Sequence, residues 1–147
     1  MSRKFPILLV VDDAPAFRKF CQKILGKSIK WIRVYVAKDG IEDLQAYRQY
    51  KPDLVLLDIN MPRLDGISVL KAIMKDDIKS KVIVTTAFDD SQENINHMMK
   101  LGAYSFLPKP MNLLLLVKSV SDALYNGHVA GTSTQIGKSF VLNENYT

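Results

Sequence analysis

Cysteine is almost absent from this chain of 147 residues: Cys21 stands alone. No internal disulfide can form, so the fold must rest on its core, and a reducing cytoplasm is the natural setting. Cys21 falls on an apolar helical stripe with Phe17, Phe20, Ile24 and Leu25, where a thiol is buried and inert rather than reactive. Long hydrophobic runs are missing too. Nothing approaches the roughly 18 consecutive apolar residues of a membrane span, so no membrane partner is expected. The apolar run after the basic start Met1-Ser2-Arg3-Lys4 superficially suggests a signal peptide, but Asp12-Asp13 cuts it short and no small-residue cleavage site follows. Acidic residues are absent between Ala14 and Ala37, whereas Arg18, Lys19, Lys23, Lys27, Lys30 and Arg33 crowd that stretch of a chain whose net charge is +5. A solvated helix face is the plain reading, and attraction of an acidic partner the sharper one. No aromatic-interleaved strand or recognition-helix pattern accompanies these charges, so direct nucleic-acid binding is not evident. No internal repeat is visible.

Apolar residues make up 48% and charged residues 24% of the chain, the balance of a single globular domain with a real core. Two periodicities alternate along it. Phe5–Val11, Ile32–Ala37, Leu54–Leu57 and Val82–Thr85 suit buried parallel strands, with a fifth, more mixed candidate at Tyr104–Leu107. Between them, Pro15–Leu25, Ile41–Tyr50, Ile67–Lys75 and Ser91–Leu101 read as amphipathic helices, and a last helix runs from Asn112 to about Tyr125. Pro15 suits a first helical turn and Gly102 a helix end. Five strands alternating with five helices imply right-handed βαβ units and an α/β doubly wound parallel sheet. For this size the flavodoxin-like (βα)5 order 2-1-3-4-5 is the natural choice, although spacing alone does not dictate strand order. Residues 1–127 form this domain. Residues 128–147, rich in Gly, Ser, Thr and Asn, read as a C-terminal tail or linker stub.

Four islands carry chemistry: Asp12-Asp13, Asp58, Thr86 and Lys109-Pro110. Each follows a predicted strand, and in a parallel sheet the carboxyl ends of the strands meet at one edge. Adjacent carboxylates are costly unless a cation or proton relieves them. Oxygen ligands of this kind select a hard cation such as Mg²⁺, and Lys109 would help to balance the charge. Asp58 could accept a phosphoryl group, with the Thr86 hydroxyl and the Ala87 N–H as further donors.

In these residues the chain resembles a receiver domain of two-component response regulators, the CheY-like family, from about Phe5 to Asn126. The resemblance rests on Val-Val-Asp-Asp at 10–13, Lys-Pro-Asp-Leu-Val-Leu-Leu-Asp at 51–58, Met-Pro-Arg-Leu-Asp-Gly at 61–66, Val-Thr-Thr-Ala at 84–87 and Gly-Ala-Tyr-Ser-Phe-Leu-Pro-Lys-Pro at 102–110. It implies that Asp58 is the phospho-acceptor, receiving its phosphoryl group from a histidine kinase or histidine phosphotransfer domain. Asp13 would ligate Mg²⁺ directly, Asp12 through water, and Asn60 through its backbone carbonyl. Thr86 would bind the phosphoryl group and Lys109 pair with it, and the Lys109-Pro110 bond would be cis. Phe106 takes the place of the aromatic switch residue, lacking the hydroxyl of the more usual Tyr. Phe88 and Asn60 would tune dephosphorylation. The output would appear on the surface of the fourth helix, fifth strand and fifth helix, where a homodimer could also form.

One departure concerns the fifth helix. Spacing assigns Leu113, Leu116, Val117, Val120 and Leu124 to its core face, leaving Leu114 and Leu115 toward solvent beside Tyr104 as a contact surface. Two rival functions share the motifs. A magnesium-dependent aspartyl phosphatase would carry a second carboxylate two residues after the nucleophile, where Asn60 stands. A receiver-like interaction module that is never phosphorylated would usually have lost an acidic or lysine position, and none is lost. Flavin binding wants a glycine- and hydroxyl-rich loop after the first strand, whereas Asp12-Asp13 would repel a flavin phosphate.

Overall fold

A computed structural model describes residues 5–60, 66–77, 79–87, 92–109 and 111–125. Strands β1 (Ile7–Val11), β2 (Arg33–Ala37), β3 (Leu54–Asp58), β4 (Val82–Ala87) and β5 (Ser105–Lys109) alternate with helices α1 (Pro15–Ser28), α2 (Gly40–Tyr50), α3 (Gly66–Asp76), α4 (Gln92–Lys100) and α5 (Leu113–Tyr125). The sheet is parallel throughout, in the order β2-β1-β3-β4-β5. The expected flavodoxin-like α/β architecture and strand order are therefore present.

Strand alternation divides the core in two. Leu8, Val10, Leu54, Leu56, Ile83 and Leu107 face α1 and α5 and pack with Cys21, Leu25, Leu116 and Val120. Leu9, Val11, Val55, Leu57, Val82 and Val84 face the other way, against Val69, Leu70 and Ile73 of α3 and Met98 of α4. Both faces of the central strands are covered, so these segments read as unbroken apolar runs rather than alternating ones.

Several boundaries moved. α1 extends one turn past Leu25 to Ser28, and β5 covers Ser105–Lys109 rather than Tyr104–Leu107, which brings Lys109 into the strand itself. Pro108 is tolerated there because β5 is the last strand of the sheet. α4 ends as expected near Gly102, whose φ of 112° is the left-handed conformation of a helix stop; its N–H bonds the Met99 carbonyl at 3.1 Å.

The expected facing of the fifth helix is corrected. Leu115 is buried and Leu113 exposed, the reverse of the spacing argument, while Leu114 is exposed as expected. Asn112 sets this phase: its side-chain oxygen accepts from the N–H groups of Leu114 and Leu115 at 2.8 and 3.3 Å. The buried stripe then falls on Leu115, Leu116, Ser119, Val120 and Ala123. Tyr104 is buried as well, inside the α1–α5 core with the Lys81 ammonium 5.4 Å from its ring. Tyr104 and Leu115 thus belong to the interior and form no exposed contact surface with Leu114. Residues 128–147, Phe88 and Pro110, and with them the tail and the cis bond, lie outside the described residues.

Candidate functional site

The period of two along each strand assembles the site. Leu8 and Val10 of β1 face α1, and so does Asp12, whose N–H extends the ladder to the Ala37 carbonyl at 3.1 Å. On β3 the sequence Leu54, Leu56, Asp58 follows the same pleat, and on β5 so do Leu107 and Lys109. Three chemical groups from three strands therefore reach one side of one edge. Lys109 Nζ lies 2.7 Å from Asp12 Oδ2 and 3.2 Å from Asp58 Oδ2. Ligand oxygens of Asp12, Asp13 and Asp58 fall within 4.8 Å of one another. Asp12 and Asp58 are buried, whereas Asp13 is exposed at the mouth.

The loop backbones hold the carboxylates. Asp12 Oδ1 accepts from the Ala14 N–H at 2.8 Å, and Asp58 Oδ1 accepts from the Asn60 N–H at 2.8 Å. These bonds leave the second oxygen of each for Lys109. Burial pushes the Asp58 carboxyl up, with the charge of Asp12 adding to it; the Asn60 N–H and the Lys109 charge pull the other way without cancelling the rise. For Lys109, burial pulls the ammonium down, but its bond to Asp12 and the charges of Asp58 and Asp12 outweigh that, and its pKa ends up raised. The ammonium is held charged between two buried carboxylates.

Thr86 stands on the opposite pleat of β4, the face of Val84, and its register partner on β5 is Pro108. Its hydroxyl is buried and has no hydrogen-bond partner among the described residues. Phe106, paired with Val84, is half-buried on that same face. Thr86 and Phe106 are thus neighbours on one side of the sheet, and the carboxylates and Lys109 lie on the other.

Three residues at the site escaped the sequence reading. Arg18 Nη1 donates to the Asp12 backbone carbonyl at 2.7 Å, fixing the loop that carries Asp12 and Asp13. The Phe17 ring lies beneath Lys109, its centroid 4.9 Å from Nζ. Thr85, paired with Asp58, is a second buried hydroxyl without a partner among the described residues. The signal for Phe17 was available, because the stripe of Phe17, Cys21 and Leu25 faces the same pleat as Asp12. Gly66 closes the far side: a Cβ there would stand 2.4 Å from Ile59 Cα and 3.1 Å from the Asp58 carbonyl. Only glycine lets α3 approach Asp58 and Ile59 at the end of β3 so closely.

A five-stranded parallel fold with an acidic pocket and one lysine at its carboxyl edge describes a class of signalling domain, and the comparisons agree. Residues 8–121 match the response regulator receiver domain, and the chain belongs to that family. It is 32% identical to the chemotaxis protein CheY of Bacillus subtilis over 117 residues, which cover 80% of this chain and 96% of CheY. It is 39% identical over 102 residues, 69% of this chain, to a protein-glutamate methylesterase/protein-glutamine glutaminase of Lawsonia intracellularis, and spans only 29% of that longer protein. Among solved structures, the receiver domain of the Francisella response regulator 1452 superposes with a TM-score of 0.74 at 32% identity, covering 82% of this chain and 98% of that one. The response regulator domain of Thermotoga maritima CheB does so with a TM-score of 0.74 at 28% identity, covering 86% and 100%. This is a receiver domain of two-component signalling. No helix among the described residues is long and apolar enough to cross a membrane.

Proposed function

We propose that the chain is a phospho-accepting switch whose acceptor is Asp58. The observation that carries this reading is the ammonium of Lys109 held between Asp12 and Asp58, with Asp13 in reach of both carboxylates. Three carboxylates gathered this tightly suit a hard, oxygen-seeking cation. Asp12, Asp13 and Asp58, with the backbone carbonyl of Asn60, are the groups that would hold Mg²⁺, which would supply positive charge against the oxygens of an incoming phosphoryl group.

The chain's own residues do the rest. An Asp58 oxygen attacks the phosphorus of a phosphohistidine on a histidine kinase or phosphotransfer domain. The new P–O bond forms as the P–N bond breaks, and the imidazole nitrogen leaves with the electron pair. Asn60 N–H and Lys109 orient the nucleophile beforehand, so the work is positioning and electrostatic stabilisation. The acyl phosphate exchanges one carboxylate charge for about two on the phosphoryl group. Lys109 meets that charge, and the Thr86 hydroxyl, which has no partner among the described residues, is a donor that can join it. Moving Thr86 vacates space on the face it shares with Phe106, which then shifts the surface of α4, β5 and α5. Water attack on phosphorus breaks its bond to the Asp58 oxygen, releasing inorganic phosphate and restoring the carboxylate. On this reading the domain promotes only its own phosphorylation and dephosphorylation, and partners read the surface.

Incubation with Mg²⁺ and a small phosphodonor, followed by intact-mass measurement, tests the proposal. A single phosphoryl addition is expected in the wild type and none in Asp58→Asn. Addition at another residue, or none in the wild type, would refute it.

A further inference from the structure

At the end of the sheet opposite the carboxylates, where β1 and β2 begin, Trp31 sits in the turn between α1 and β2. Its φ of 67° lies in the left-handed region, a genuine strain for a bulky residue that Gly or Asn would avoid. Trp31 is 59% exposed, so burial does not offset that strain. What surrounds it is an aromatic and cationic patch. The Phe5 ring is tilted against the indole at 5.6 Å, Lys30 Nζ stands 5.5 Å from the indole centroid, and Arg33 lies 5.3 Å from the Phe5 ring. Lys23 and Lys27 are exposed on the adjoining half of α1. Lys27, in the last turn, complements the helix end, but Lys30 and Arg33 lie beyond the helix and that explanation does not reach them. No acidic residue interrupts this stretch between Ala14 and Ala37. Asp53, which adjoins the edge, spends a carboxylate oxygen on the Ile7 N–H at 2.8 Å.

We propose that this edge docks on an anionic lipid surface. One exposed indole with Lys30 over its ring, Arg33 over the neighbouring Phe5 ring, and Lys23 and Lys27 exposed along the preceding helix has the chemistry of a headgroup contact. The indole settles at the interface while the long cationic side chains reach phosphate groups. A single-stranded nucleic acid would need an open ring face on which to stack a base. Here Lys30 and Phe5 lie against the Trp31 ring, and Arg33 against Phe5. Aromatic residues and Arg are enriched at protein interfaces but lysine is depleted there, and three of the four cations here are lysines, which favours lipid over a protein partner. The inference revises the expectation that no membrane is involved, and it does not depend on phosphorylation. Docking by this edge would leave the Asp58 edge, about 17 Å away along the strands, turned outward toward a phosphodonor.

The full chain titrated with large vesicles of mixed phosphatidylglycerol and phosphatidylcholine, or of phosphatidylcholine alone, provides the test. Trp31 is the only tryptophan, so its emission reports on the patch itself. Co-sedimentation with the anionic vesicles and a blue shift of Trp31 emission are expected, both weakened by salt and both absent with phosphatidylcholine. Lys30→Glu combined with Arg33→Glu should lower partitioning by about tenfold or more. Trp31→Gly, which relieves the left-handed strain and so keeps the fold, should lower it by several-fold. Three results would overturn the proposal: no binding to anionic vesicles, binding indifferent to both variants, or Trp31 emission that answers to a single-stranded oligonucleotide or to polyglutamate but not to vesicles.

Discussion

Asp12 and Asp58 share one bonding plan: one oxygen takes a backbone N–H and the other takes Lys109. Their negative charges nonetheless crowd with Asp13, so a bound cation should stabilise the fold. At a Mg²⁺ concentration 100 times its dissociation constant the gain should be about 2.7 kcal/mol, read as a rise in melting temperature. Asp13→Asn should abolish most of that rise, and an undiminished response would remove Asp13 from the ligand set. Thr86 separates stability from function. Its buried hydroxyl has no partner among the described residues, so Thr86→Val should leave stability unchanged or raise it by about 1 kcal/mol. The same change should uncouple phosphorylation from the α4–β5–α5 surface. A marked loss of stability would mean that the hydroxyl serves the fold instead. Cys21 is the contrary case. Burial, helped by the charge of Asp12, pushes its thiol from 9.0 to about 12. Thiol reagents should therefore label it only on unfolding. Because the folded pKa is the higher, unfolding releases a proton between those two values; stability from this group is intact below pH 9 and declines as pH rises toward 12. Native labelling at pH 8 as fast as in denaturant would contradict the burial.

At the scale of elements, α5 is the sharpest test because spacing and structure disagree about it. Leu115→Glu would bury a carboxylate in the core and should cost more than about 3 kcal/mol, whereas Leu114→Glu should stay within about 0.5 kcal/mol. Chemical denaturation of the two variants decides between the two helix phases. The disagreement also shows what the sequence can and cannot carry. Strands β1, β3 and β4 were legible because both their faces are buried and apolar runs of that length have few other uses. A run of four leucines, Leu113–Leu116, is apolar at every helical phase, so periodicity has no contrast to work with. The Asn112 cap sets the phase, and its effect depends on where the helix begins. Lys109 was legible as a motif, but its reach came from β5 extending through it, a two-residue shift in a strand that contains Pro108. Arg18 and Thr85 were not legible as site residues, since their proximity arises only when α1 and β4 return over the same pleat as Asp12 and Asp58. Phe17 lay on a readable stripe, but its ring meets Lys109 only because β5 extends to that edge.

For the molecule as a whole, the sheet separates two groups of residues. The carboxylates and Lys109 that would carry the proposed phosphoryl chemistry lie on the α1–α5 pleat, while Thr86 and Phe106 occupy the other, with α4 close by. On the proposed reading the signal crosses the sheet at the end of β4, through Thr86, whose hydroxyl lies on the Phe106 face and has no partner among the described residues; Thr85, likewise without one, lies on the Asp58 pleat. Converting a population from 1:99 to 99:1 takes about 5.5 kcal/mol of differential stabilisation. Charge-assisted hydrogen bonds of about 1.5–3 kcal/mol each would supply that with two to four new contacts to a phosphoryl group. Lys109 and Thr86 give two, near the lower end, so the switch should be poised rather than locked: a phosphoryl mimic should leave a measurable minor population of the resting form. Amide resonances of α4, β5 and α5 recorded with a beryllofluoride adduct should show shifts that report exchange between two states. In Thr86→Val the same resonances should stay at their resting positions although the adduct still forms at Asp58. If they shift as far as in the wild type, the signal leaves the site without Thr86, and Lys109 on β5 becomes the residue that carries it.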